Sequence, residues 1–178
     1  MRHASTALIG VCVLAIAGCA TGGGEPPRGR PPSGGRPPIV IRPLFPADYM
    51  ASASSIDLFV IRSAELALTR AQNPYHRSFA RTAIADHKGT SAQLSLAGRR
   101  LNLLPAATLQ PAHQALFDEL AASSDFDATY SRQQIAVHQA ALKLHSDFAA
   151  RGESPTLRTV ARNAVPIERG HLQTLRRM

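Results

Sequence analysis

Asn73-Pro74, Pro111 and Ser154-Pro155 divide the chain beyond Met50 into segments of helical length. Proline suits the first turn of a helix, where its missing N–H has no intrahelical partner, and an Asn or Ser just before it can accept from that turn's free amides. These signals predict helices over residues 52–71, 74–101, a short 111–122, 126–151 and 155–178. Residues 103–110, with Pro105, form a connection, Ser123-Ser124-Asp125 a cap and Gly152 a stop. Only 5% of the 178 residues are aromatic, and the apolar fraction is mostly Ala and Leu, so sandwiches and barrels have little to build with. The four long helices, each about 30 to 39 Å at 1.5 Å per residue, predict an all-α fold: an antiparallel four-helix bundle with one short extra helix between the second and third long ones.

The N-terminus is built differently. Met1-Arg2-His3 precedes an apolar run to Ala17, too short to span a bilayer, and Ile16-Ala17-Gly18-Cys19 resembles a bacterial lipobox. Residues 1–18 are therefore expected to be a lipoprotein-type signal and Cys19 the lipidated residue. Cys12 would leave with the signal, so no disulfide is expected. By likeness to such lipoproteins, Ala20 lacks the Asp that retains them at an inner membrane. The expected location is the periplasmic face of an outer membrane. Residues 20–49 carry eight of the 13 Pro and six of the 12 Gly, so residues 19–49 read as a tether and 50–178 as the folded unit. In polyproline II form the tether reaches up to roughly 90 Å.

Polar residues on the apolar stripes carry the functional information. In the first long helix Glu65 follows Leu58 and Ile61 and precedes Leu68, which places it on the inward face. His87 falls in the row Ala80, Ala83, Thr90, Leu94, Ala97, Leu101. His138 falls in the row Gln134, Ala141, His145, Phe148, beside Val137 and Leu144. Glu168 and His171, an E-x-x-H pair, lie in register with Leu157, Ala161, Ala164 and Leu175. Inward polar groups are costly unless they satisfy one another or share an ion. Glu65, His87, His138, Glu168 and His171 are thus candidate ligands for one iron, zinc or copper ion, since imidazole and carboxylate without thiolate do not choose among them. Asp86, Tyr130 and Gln134 are candidate supporting residues. Pro166 is expected to kink the last helix just before Glu168. His76, His113 and His145 are assigned to the surface, the usual place for histidine.

The strings FVIRSAELAL, FARTAIADHKGTSAQL, FDATYSRQQIAVHQAALKL and VPIERGHL resemble domain-of-unknown-function family 4142, described as ferritin-like bundles of the bacterial envelope. Asp86, His87, Asp127, Tyr130, His138, Pro166 and His171 occupy the positions that carry the resemblance, and Glu65 matches the helix-one acid. Val137 stands where the family has Asp, and Ile84 where a di-iron site would have Glu. The resemblance therefore implies the fold without a ferritin-type di-iron donor set.

The net charge of +8 draws on Arg28, Arg30, Arg36 and Arg42 of the tether, on Arg151 at the end of the 126–151 helix, and on Arg158, Arg162, Arg169, Arg176 and Arg177 along the last helix. Anionic lipid or cell-wall polymer suits such residues. Nucleic acid is not an expected partner, because no stacking aromatics accompany them. Two readings stand: a lipid-anchored periplasmic module holding a transition metal, and a metal-free helical envelope protein with a structural or partner-binding role. No substrate, reaction or catalytic residue is indicated.

Overall fold

The computed structural model describes residues 44–178. The signal, Cys19 and all of the tether up to residue 43 lie outside the described residues. Helix α1 (Pro46–Arg70) begins at Pro46 rather than at residue 52, because Pro46 opens a helical turn whose next residues, Tyr49 and Met50, are buried. Helix α2 (Pro74–Leu101) is capped by the Asn73 side chain, which accepts from Tyr75 N at 2.9 Å. It ends on Asn102 in the left-handed region (φ 53°), with Leu103 N bonded to Gly98 O at 2.9 Å. Helix α3 is Pro111–Ala122 and α4 is Phe126–Arg151, whose cap Asp125 accepts from Ala128 N. Helix α5 (Pro155–Leu175) is capped by Ser154 and runs through Pro166 without a break.

The four long helices pack as a square whose neighbours are antiparallel. Short connections make α1–α2 and α4–α5 hairpins, and α2 against α5 and α1 against α4 close the ring. The second hairpin does not continue the alternation. Segment 102–110 and α3 carry the chain back along α1, so that α4 starts beside the α1–α2 turn. Along this return Ala106 N and Gln110 N donate to the Ser54 and Ser55 hydroxyls, both at 2.8 Å. At its end Arg70 reaches the carbonyls of Ala121 and Ser123 and covers the Phe126 ring. Asp127 serves this junction rather than only its own helix dipole: it accepts from Gln72 N (3.0 Å), Asn73 N (2.8 Å) and His76 Nδ1 (3.2 Å).

The core is two apolar clusters with a polar layer between them. One holds Phe59, Val60, Ala64, Ala67, Phe79, Ala80, Ala83 and Tyr130; the other holds Tyr49, Met50, Ala53, Leu94, Phe148, Leu157 and Ala161. Where they meet lie Asp57, His87, Thr90, His138, His145, Glu168 and His171, all buried. The seam of α1 runs along small residues, Ala53, Val60, Ala64 and Ala67, which let the neighbouring helices approach closely. Leu58, Leu66 and Leu68 are only partly buried at its flanks.

Candidate metal centre

That seam decides the fate of Glu65. A face centred on Leu58, Ile61 and Leu68 would point it inward, but the buried face lies a helical step away and Glu65 is exposed. The acid that α1 contributes to the polar layer is Asp57, which sequence reasoning missed because it sits between Ile56 and Leu58. Its place in the row Ala53, Asp57, Val60, Ala64 is the signal that would have found it.

His87, His138, Glu168 and His171 do come together. One ligand atom from each lies within 4.8 Å of the others, and all four residues are buried. The histidines are held in a common way. His87 Nδ1–H donates to Asp57 Oδ1 at 2.8 Å, His138 Nδ1–H to the Gln134 carbonyl at 2.7 Å, and His171 Nε2–H to Asp86 Oδ2 at 2.9 Å. Each ring thus spends its outer nitrogen on an acceptor, and in the neutral imidazole that leaves a lone pair on the inner one. Asp57 is fixed in turn by the Thr90 and Ser91 hydroxyls, at 2.8 and 3.1 Å.

The inner atoms face one another, and most of them close no hydrogen bond. His138 Nε2 and His171 Nδ1 are 3.1 Å apart. His87 Nε2 lies 4.0 Å from Glu168 Oε1, beyond hydrogen-bond range. Among the described residues neither Glu168 oxygen nor His87 Nε2 has a hydrogen-bond partner. Burial pushes the Glu168 carboxyl up to about 7. Burial, with His87 and His171 nearby, pushes His138 down to about 3. His171 is lowered by burial against the pull of Asp86. Burial would lower His87 as well, but its hydrogen bond to Asp57 and the nearby carboxylates raise it.

The other expected residues fall at varied places. Asp86 is partly exposed and bears on the outer nitrogen of His171. Gln134 supports His138 through its carbonyl, while its side chain donates to Ser63 Oγ at 2.8 Å. Tyr130 is fully buried against Phe126 and His76, its hydroxyl bonds to none of the site residues, and burial raises its pKa. The three histidines assigned to the surface are not there. His76 is buried on Asp127, His113 is partly buried with its ring nitrogen 2.7 Å from Ser55 Oγ, and His145 is buried 3.8 Å from Glu168 Oε1. Arg151, Arg162, Arg169, Arg176 and Arg177 are exposed.

Fold and cluster together define a helical bundle with a buried histidine–carboxylate centre. The chain belongs to the domain-of-unknown-function family DUF4142, which matches residues 44–178. Among solved structures it is similar to CopM in the Cu(II)-bound form, with a TM-score of 0.65 at 20% identity over 76% of this chain and 96% of that one. CopM in the Cu(I)-bound form gives 0.62 at 19% identity, covering 74% and 92%. A DUF305 fragment from Deinococcus radiodurans gives 0.64 at 19% identity, covering 76% and 96%. At such identities the likeness is one of fold. No curated protein matches the chain.

Proposed function

We propose that the protein is an exported, lipid-anchored module of the periplasm that holds one transition-metal ion through His87, His138, Glu168 and His171. The observation that carries the reading is the approach of His138 Nε2 to His171 Nδ1 at 3.1 Å, with the outer nitrogen of each ring already donating. Two neutral imidazoles so held face each other lone pair to lone pair, which is repulsive unless a cation sits between them. At bond lengths of about 2.1 Å, a separation of 3.1 Å corresponds to an angle of about 95° at a shared ion. Glu168 brings the anionic oxygen, and the widest donor pair, 4.8 Å apart, closes by about 0.6 Å or more on binding. A metal-free network would leave three buried polar atoms unsatisfied, each costing on the order of 1 to 3 kcal/mol. CopM, a bundle of the same fold, has been solved with Cu(II), Cu(I) and silver bound. Three imidazoles and a carboxylate suit copper, zinc or iron.

Purified without a histidine tag and exposed to each ion, the protein is expected to retain one equivalent by elemental analysis after gel filtration. Glu65→Ala retains the same amount, whereas Glu168→Ala retains none. A wild-type protein that comes through metal-free with every ion overturns the reading.

The lipobox-like Ile16-Ala17-Gly18-Cys19 and the Pro/Gly tether support anchoring. In a bacterial host, Cys19→Ser is expected to abolish incorporation of labelled fatty acid and to move the protein from the membrane to the soluble fraction. The tether arginines and those of α5 would meet anionic lipid or cell-wall polymer, each worth about 1 kcal/mol near such a surface.

A further inference from the structure

We propose that His145 supplies a fifth donor to the same ion, so that the centre is five-coordinate with four nitrogens and one oxygen, and that Tyr49 positions it. The inference rests on the metal reading above and goes beyond its four ligands. His145 stands beside the four residues whose donors lie within 4.8 Å of one another: it is buried, its Nδ1 is 2.9 Å from the Tyr49 hydroxyl, and its Nε2 is 3.8 Å from Glu168 Oε1. His138 and His145 are two helical turns apart on α4 and share its inward row.

The distance separates two roles for this ring. If Nε2 carried the proton it would donate to Glu168, and such a bond would close to about 2.7 to 3.2 Å. The pair instead stands 3.8 Å apart, and Glu168 Oε1 has no hydrogen-bond partner among the described residues. Two donors on one ion at about 2.1 Å are separated by about 3.0 Å at 90°, about 3.6 Å at 120° and at most about 4.2 Å. Both 3.8 Å and the 4.0 Å from His87 Nε2 to the same oxygen fall in that range. Across the ion-free cluster the pairs run from 3.1 to 4.8 Å, so the set closes on binding, and the fifth place rests on His145 Nε2 standing 3.8 Å from Glu168 Oε1. Coordination through Nε2 takes the tautomer in which His145 Nδ1–H donates to the Tyr49 oxygen and the lone pair is left on Nε2.

The test counts nitrogens on added Cu(II) in the tag-free full chain by electron paramagnetic resonance with ¹⁵N-labelled histidine. Four coupled nitrogens are expected in the wild type and three in His145→Leu. Three in the wild type overturns the inference while leaving the metal reading intact, and this count holds even if His145→Leu does not fold. No bound Cu(II) or other ion at all in the wild type overturns the metal reading instead. Tyr49→Phe is expected to keep four nitrogens with a 10- to 100-fold weaker affinity, as loss of a supporting hydrogen bond does. An affinity unchanged in Tyr49→Phe overturns the positioning role.

Discussion

Addition of Cu(II) or Zn(II) at about a thousand times its dissociation constant is expected to stabilise the native state by about 4 kcal/mol, because the ligand set exists only in the folded bundle. For a domain of this size that raises the melting temperature by on the order of 10 to 15 °C in differential scanning calorimetry. His87→Ala and His171→Ala each take away a donor and are expected to lower affinity by more than 100-fold and to remove most of the shift. Asp57→Ala and Asp86→Ala leave the donors in place but release the outer nitrogens of His87 and His171. Their expected loss is about 10- to 100-fold. This graded order is what a metal centre with oriented imidazoles requires. A metal-free network gives no shift in the wild type and so nothing for the variants to lose.

The helices were legible because proline and cap residues punctuate them, and the predicted ends of α2, α3 and α4 agree with the structure. Four residues of the polar layer, His87, His138, Glu168 and His171, were legible for a related reason. His87 and the Glu168–His171 pair stand in rows of apolar residues whose spacing leaves one choice of face. Helix α1 offers two rows, and leucine points to the wrong one: Leu58, Leu66 and Leu68 lie at the flanks, while Ala53, Ala64 and Ala67 line the close-packed seam. Glu65 was therefore drawn inward and Asp57 overlooked. His145 shares a row with His138, and the general preference of histidine for the surface hid it. His76 and His113 are enclosed by the crossover through α3 and by the junction at Asp127, contacts distant in sequence that no local period announces.

Replacing Glu168 by Leu is expected to make the metal-free protein more stable while abolishing metal retention. A carboxyl that burial raises from 4.5 to about 7 holds its proton more tightly folded than unfolded. Its charge therefore costs nothing below the unfolded value, and the cost grows as pH rises until the folded group itself ionises near 7. Over that interval the cost amounts to roughly 3 kcal/mol. Urea titrations are expected to show Glu168→Leu more stable than the metal-free wild type by about 3 kcal/mol at pH 8, with most of that difference gone at pH 5. Metal-loaded wild type reverses the order at pH 8, since the ion supplies the countercharge that the bundle does not. If Leu were destabilising at pH 8, Glu168 would be meeting its bonding needs within the protein, and the case for a cation would fail at its acid. A residue that weakens the empty fold and strengthens the filled one is held for its ligand, which is why the sign of this one substitution separates a binding site from a packing feature.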